Sequence, residues 1–246
     1  MALSSNNRFM TSACIAGALI VNAANLAHAD AEIITLSQGH ANLRELGKQL
    51  QVGDVVFIRI PSKLFTKVSD TTSSWTNHVG IVTDVSGAEP LVAESRVPLS
   101  GTTTWSRFVK RSGEGRVAVG RLSAPLDAQQ QIKLKLAVSA RKGILYDTGF
   151  NLHSPRQFCS RYVREVLDEA TGVKLGDVEN FATLLQNNPK ADQTFWRMWY
   201  FGDIPWQRET VTPASLLRDG KLVVYFDGYA DSRTNRLSFN SKGSGK

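Results

Sequence analysis

A cysteine, a histidine and a glutamate are the side chains of this 246-residue chain best suited to covalent catalysis. A cysteine is nucleophilic as its thiolate, and a helix N-terminus and a nearby imidazole both lower a thiol pKa. Cys159 falls in the first turns of a predicted helix, where backbone N–H groups and the positive end of the helix dipole lie. His78 opens a predicted strand, and Glu94 lies on the next strand, where an unpaired acid would be costly. The spacing is compatible with a Cys-His-Glu arrangement in which the third group orients the imidazole.

Each of these residues also has a non-catalytic interpretation. A lone cysteine on an apolar helix stripe can be an inert core residue, and a histidine at a strand start can be structural. Glu94 can face solvent at a strand end. His153, shortly before the cysteine, is either a rival base or a loop surface residue, and His40 lies in a Gly-rich segment without a predicted role. No Cys or His pair has the spacing of zinc ligands, so we predict no metal.

The segments that must position these side chains are strands first and helices later. Apolar runs between short turns predict the strands, which are 55–60, 78–85, 91–95, 116–122 and 222–226. Helical spacing and capping residues predict the helices, which are 127–142, 154–170, 178–186 and a turn at 212–215. The second helix is predicted to begin at Ser154-Pro155, and the first has its apolar positions at Ile132, Leu136 and Ala140. Residues 61–76 are predicted to be a polar loop with one helical turn.

The N-terminus has the pattern of a secretory signal peptide. One charge, Arg8, precedes a long apolar stretch that ends in the A-x-A cleavage pattern Ala27-His28-Ala29. Cys14 is an alternative lipoprotein cysteine, but most of the apolar stretch follows it. We predict cleavage after Ala29 and export to the periplasm or cell envelope. Cleavage would leave Cys159 without a partner for an internal disulfide.

Composition excludes several classes of protein. With 42% hydrophobic and 21% charged residues the chain is globular rather than disordered. No segment after the leader approaches the roughly 20 apolar residues that span a bilayer. The net charge of +7 is scattered, which indicates a basic solvated surface and no nucleic-acid partner. We predict a signal peptide at 1–29, one domain at 30–230 and a disordered tail at 231–246.

Five short motifs, in their order along the chain, resemble a known enzyme family. They are Gly53-Asp54-Val55-Val56-Phe57, His78-Val79-Gly80-Ile81-Val82, Val92-Ala93-Glu94, Tyr146-Asp147 and Phe158-Cys159-Ser160. Together they resemble the NlpC-type papain-like superfamily. Because the histidine strand precedes the cysteine helix, the chain is similar to the circularly permuted branch, the YiiX/YaeF/YebB-like amidases. The resemblance covers roughly residues 45–227.

The resemblance implies a fold and a set of roles. The fold is α+β and papain-like, with an antiparallel, barrel-like sheet packed against the helix that carries the cysteine. Cys159 would be the nucleophile, His78 the general base and Glu94 the orienting acid, with Tyr146 and Ser160 binding substrate and no cofactor. Two features depart from the family. Arg161 stands where an acid is frequent, and residues 63–76 have no match and are expected in the pocket wall.

The implied activity is that of an exported cysteine hydrolase that works through a thioester. Its expected substrate is a peptide amide of the cell wall. Two alternatives are a lipid acyl hydrolase or acyltransferase of the same mechanism, and a catalytically idle binding module of the cell envelope. The aromatic-rich segment 193–206 suits either the protein core or a lipid or hydrophobic partner.

Overall fold

The computed structural model describes residues 36–189 and 191–232, with the side chains of 36–38 left out. The predicted signal peptide and residues 233–246 of the predicted tail lie outside the described residues. Within the described part of the chain, no helix is both long and apolar enough to cross a bilayer.

The described chain alternates between short strands and short helices. The strands are β1 (Leu36–Asn42), β2 (Val55–Ile58), β3 (His78–Asp84), β4 (Leu91–Glu94), β5 (Gly101–Thr104), β6 (Arg116–Leu122), β7 (Glu179–Asn180), β8 (Glu209–Thr210) and β9 (Leu222–Asp231). The helices are α1 (Leu43–Lys48), α2 (Lys63–Thr71), α3 (Trp105–Lys110), α4 (Ala128–Ala140), α5 (Cys159–Thr171), α6 (Phe181–Asn187), α7 (Gln193–Trp199) and α8 (Pro213–Leu217). The predicted strands and helices are therefore present, with shifted ends.

A seven-stranded sheet organises the fold, with the strand order β1-β9-β6-β2-β3-β4-β5. Neighbouring strands are antiparallel except β1 and β9, which are parallel. β7 and β8 pair separately. The fold is thus α+β with a mostly antiparallel sheet. The pairings of the described residues form an open series from β1 to β5, so barrel-like closure is not shown.

Helices cover both faces of the sheet, and the side chains of β2 point alternately into the two cores that result. Val55 and Phe57 belong to a core shared with α4 and α5, whereas Val56 and Ile58 belong to a second core shared with α1 and α3. All four side chains are fully buried. Burial on both faces explains why this strand is a continuous apolar run rather than an alternating one.

The prediction for residues 61–76 was wrong, because α2 extends over nine of them. Phe65 packs into the core beside α5. The hydroxyls of Ser69, Thr71 and Thr72 donate to backbone carbonyls three or four residues earlier, at 2.8 to 3.4 Å. Such back-bonding satisfies Ser and Thr inside a helix, although these residues favour loops when judged from sequence.

The helix predicted at 127–142 is α4, but its predicted apolar positions are not its buried face. Ile132 and Leu136 are 52% and 63% exposed, while Leu134, Ala137 and Val138 are buried. Apolar residues lie around most of this helix, so the helical spacing of apolar residues was compatible with two different buried faces. Packing against α5 selects the second of these faces.

The Gly-rich segment around His40 also forms more structure than predicted. It is β1, which pairs in parallel with β9 and stacks His40 on Tyr229 with ring centroids 5.4 Å apart. β9 extends to Asp231, beyond the predicted end at residue 226. The longer strand provides the sheet edge on which β1 pairs.

Candidate active site

Cys159 occupies the first position of α5. The predicted helix start at Ser154-Pro155 was wrong, because Gln157 forms a strand-like bridge with Tyr146. The Ser95 hydroxyl also donates to the Gln157 carbonyl at 2.9 Å. These bonds hold the backbone extended at residue 157, so the helix begins two residues later. The thiol therefore lies at the positive end of the helix dipole.

His78 and Glu94 meet across the neighbouring strands β3 and β4. His78 Nε2 lies 2.6 Å from Glu94 Oε2, and both side chains are completely buried. The structure therefore brings together the histidine and the acid singled out in the sequence. The interpretation of Glu94 as a solvent-facing residue was wrong.

The second ring nitrogen of His78 is left for the thiol. His78 Nδ1 has no hydrogen-bond partner of normal geometry within the described residues. The Cys159 thiol lies beside the ring, close enough for its charge and hydrogen-bonding capacity to alter the pKa of His78. α5 thus places the cysteine on one side of the imidazole and β4 places the carboxylate on the other.

The two groups stabilise each other's charged forms. Burial lowers the pKa of His78, but the charge on Cys159 and the carboxylate of Glu94 outweigh burial and raise that pKa to about 9. Burial raises the pKa of the Cys159 thiol, but His78, the Tyr146 hydroxyl and the Val79 backbone N–H together lower it. Both shifts favour the thiolate–imidazolium form of the pair over the neutral thiol and imidazole.

An arginine that sequence reasoning missed completes the charge arrangement. Arg111 Nη2 donates to both oxygens of Glu94 at 2.7 Å, and Arg96 Nε lies 3.6 Å from Oε1. Burial raises the pKa of Glu94, but His78 and Arg111 hold it below its usual range. Arg111 directly follows α3, and neither α3 nor the preceding β5 was predicted. The sequence analysis therefore had no pattern from which Arg111 could be predicted to pair with Glu94.

Tyr146 contacts the cysteine from a third direction. Its hydroxyl donates to Cys159 Sγ at 3.9 Å. Burial and the charge on Cys159 raise the pKa of Tyr146, so the hydroxyl keeps its proton. Ser160 lies beside the same site, but its hydroxyl donates to the Val211 carbonyl at 2.6 Å and joins α5 to the segment before α8. A substrate-binding role for Ser160 stays a prediction.

A narrow cavity of about 30 Å³ reaches Cys159. Its wall is mostly apolar and comes from α2, α6, α7 and the loops around Tyr146 and Val211. Val68 and Thr72 contribute to it, which confirms that residues 63–76 form part of the pocket wall. Such a space has room for one or two water molecules.

The aromatic-rich segment 193–206 divides between core and surface. Trp196 is buried and lines the cavity that reaches the cysteine. Met198 and Phe201 are 75% and 100% exposed. The segment therefore supplies part of the cavity wall and also leaves apolar side chains at the surface.

The other positions singled out in the sequence lie away from this centre. His153 pairs with Glu209 at 2.7 Å, and its side chain is 70% exposed, so it is a surface residue rather than a rival base. Arg161, at the position where an acid was expected, donates to Glu165 Oε1 at 2.7 Å and to the Arg156 carbonyl at 2.9 Å. Arg161 therefore holds the loop that precedes the cysteine.

The sequence of this chain matches a family model over residues 49–225, which include every residue of the site. That model describes the permuted papain-like amidase enzymes, YaeF/YiiX, of the C92 family. The chain belongs to this family. The resemblance drawn from the five motifs and their order is thereby confirmed.

Two comparisons place the chain within the permuted papain-like amidases. The uncharacterized protein YiiX of Escherichia coli strain K12 is 25% identical over 168 residues, which are 68% of this chain and 82% of YiiX. The crystal structure of yiiX from Escherichia coli O157:H7, described as a metalloprotein, has a TM-score of 0.68 and 25% identity. That alignment covers 74% of this chain and 99% of the other.

One similar protein is described as a metalloprotein, which raises the question of whether this chain has the ligands for a metal ion. Among residues 36–189 and 191–232, no three His, Cys, Asp or Glu side chains are grouped so that they could hold a metal ion. The donor set near Cys159 is one thiolate and one imidazole, whose second nitrogen is taken by Glu94. The described residues therefore do not fit a metal centre.

The rate at which Cys159 of this permuted amidase is alkylated should depend on the charge of His78. We expect iodoacetamide labelling of Cys159 to stay fast well below the usual thiol pKa, because the imidazolium of His78 stabilises the thiolate. In His78→Ala the cation is lost and burial dominates, so labelling at pH 6–7 should slow by about 10-fold or more. The rate is measured by mass spectrometry of the modified protein between pH 5 and 10.

His153→Ala is the matched control, because His153 also contacts a glutamate but lies at the surface. Its labelling rate should equal that of the unmodified protein. We also expect activity to fall as the pH rises through about 9, because His78 then loses the proton that it would give to a leaving group. Equal labelling of the wild type and His78→Ala at every pH would contradict the ion pair.

Proposed function

We propose that this chain is an exported cysteine amidase that cleaves peptide amide bonds of the cell wall through a Cys159-His78-Glu94 triad. The observation that carries the proposal is the thiol at the first residue of α5, beside a buried imidazole whose far nitrogen is 2.6 Å from a buried carboxylate. Membership of the permuted papain-like amidases supports a cysteine hydrolase. Export rests on the signal-peptide pattern of residues 1–29.

The first half of the reaction forms a thioester. The Cys159 thiolate attacks the amide carbonyl carbon, and the carbonyl oxygen becomes a tetrahedral oxyanion. The Tyr146 hydroxyl, which donates to Cys159 Sγ, can donate to this oxyanion together with a backbone N–H at the start of α5. The carbon–nitrogen bond then breaks, and His78 gives its proton to the departing amine.

The second half returns the enzyme to its starting state. Neutral His78 takes a proton from water, and the resulting hydroxide attacks the thioester. The carbon–sulfur bond then breaks to release the thiolate and a carboxylic acid, which loses its proton to solvent. Glu94 keeps its negative charge throughout and stabilises the imidazolium, since Arg111 and His78 hold its pKa low. Arg111 acts through Glu94 and is a positioning residue.

One observation favours a second candidate, a lipid acyl hydrolase or acyltransferase with the same thioester. The cavity at Cys159 has a mostly apolar wall that includes Phe150, Leu184 and Trp196. An acyl chain could extend into such a wall, although the present space of about 30 Å³ would have to widen. An apolar side chain of a peptide needs less room, which favours the amide substrate.

Product analysis separates the two candidates. The protein is incubated with intact muropeptides and, separately, with phospholipid vesicles, and the products are identified by mass spectrometry. We expect muropeptide fragments that carry a new amine and a new carboxylate, and none from the Cys159→Ala variant. Release of fatty acid or transfer of an acyl chain, without peptide cleavage, would favour the lipid enzyme. No product from either substrate class would contradict the amidase proposal.

A further inference from the structure

A second, polar pocket of about 490 Å³ lies on the strands β4 and β5 and the helix α3. It shares no residue with the cavity that reaches Cys159. Three arginines, Arg96, Arg107 and Arg111, line it together with hydroxyl-bearing residues of β5. Its volume falls in the range of small-molecule sites. We call it the arginine pocket.

The arginine pocket has more positive charge than its own acid can neutralise. The only carboxylate in its lining is Glu94, which is completely buried and already contacts His78 and Arg111. Arg107 makes no ion pair or hydrogen bond with any residue that the structure describes, and its side chain is exposed. Three guanidinium groups therefore face one carboxylate.

The bonding capacity of these arginines is also incompletely used. Arg96 Nε is buried without a hydrogen-bond partner in the described chain and lies 3.6 Å from Glu94 Oε1. Arg111 contacts Glu94 through Nη2, and no hydrogen bond to another described residue uses its Nη1 or Nε. Buried donors are nearly always paired in folded proteins, so an unpaired guanidinium nitrogen beside a pocket indicates a missing acceptor.

The chemistry of the lining specifies the acceptor. Guanidinium groups present planar pairs of N–H donors that match the oxygens of phosphate or carboxylate. The threonines of β5 that line the pocket add no negative charge. Two unneutralised positive charges favour a dianion over a single carboxylate.

We propose that the arginine pocket binds a phosphate group, either inorganic phosphate or a small phosphate monoester, through Arg96, Arg107 and Arg111. The bound dianion would occupy the side of Glu94 that is turned away from His78. The site does not depend on the thiol chemistry of Cys159, so it can be tested whatever the substrate of the enzyme is.

Calorimetric titration of the full chain with inorganic phosphate tests the site, with sodium chloride added to keep ionic strength constant. The key variant is Arg107→Gln, since Arg107 does not contact the triad. The matched control is Lys110→Gln, which removes a charge from the exposed side of the same helix without lining the pocket. We expect Arg107→Gln to weaken phosphate binding by about 10-fold or more, and Lys110→Gln to change it less than about 2-fold. Labelling of Cys159 should be unchanged in both variants.

Two further arms distinguish the possible sources of the phosphate. sn-Glycerol 3-phosphate represents a soluble monoester, and phosphatidylcholine vesicles with and without phosphatidic acid represent a lipid headgroup. Binding of inorganic phosphate or glycerol phosphate that is weakened in Arg107→Gln supports the pocket. Absence of binding, equal weakening in the two variants, or binding to anionic vesicles alone would overturn the proposal.

Discussion

Cys159→Ala is expected to lower turnover by at least about 10⁴-fold while the protein stays folded. In the proposed mechanism the thiolate is the nucleophile, and removing the nucleophile of a triad leaves little beyond binding and oxyanion stabilisation. Within the described chain, the polar groups that interact with the thiol are His78, the Tyr146 hydroxyl and the Val79 backbone N–H. Turnover is measured as kcat/KM on the muropeptide or lipid found to react, and folding by circular dichroism and thermal unfolding.

Cys159→Ser provides the matched variant for this experiment. A serine hydroxyl nearly keeps the size and polarity of the thiol, but its proton is far harder to remove, and the imidazolium cannot hold it as an alkoxide. We therefore expect Cys159→Ser to be almost as inactive as Cys159→Ala. Turnover within about 10-fold of the wild type in a folded Cys159→Ala protein would show that another residue is the nucleophile.

Removing the carboxylate of Glu94 should have the second largest effect. In Glu94→Ala the buried imidazolium of His78 and the guanidinium of Arg111 both lose the carboxylate that they share. Leaving buried charges unpaired costs about 3–5 kcal/mol, so the free energy of unfolding should fall by that order. Activity should fall by about 10²-fold to 10⁴-fold, because the imidazole loses the group that fixes its orientation and tautomer. Denaturant unfolding and kcat/KM measure the two effects separately.

Glu94→Gln separates charge from hydrogen bonding. The amide oxygen can still accept from His78 Nε2, but the negative charge that raises the pKa of His78 is gone. Loss of a negative neighbour lowers an imidazole pKa, so the alkaline limb of the pH profile should move below pH 9 and activity should fall by about 10-fold. Glu209→Gln, which alters the exposed His153 pair, is the control and should move neither quantity. Full activity and an unmoved limb in both Glu94 variants would assign the orienting role to another group.

The residue types of the candidate site and the order of the elements that carry them could be predicted from local sequence patterns. The apolar runs of β2, β3 and β4 predict adjacent strands. The cost of an isolated acid among apolar residues indicated that Glu94 is paired, although a solvent-facing Glu94 was the alternative. Five motifs in a permuted order were sufficient to identify the family, because each motif consists of a few consecutive residues and can be recognised without the fold.

Three features depended on tertiary structure. They are the start of α5, the buried face of α4 and the arginine that pairs with Glu94. The Gln157–Tyr146 bridge and the Ser95 hydroxyl place Cys159 at the first helical residue, against a local capping signal at Ser154. Arg111 reaches Glu94 from the end of a helix that no periodicity marked. The spacing of apolar residues and the capping residues reflect interactions between residues within about four positions of each other. Contacts between residues far apart in the chain decided these features, because burial and pairing across the fold outweigh a local preference of about 1 kcal/mol.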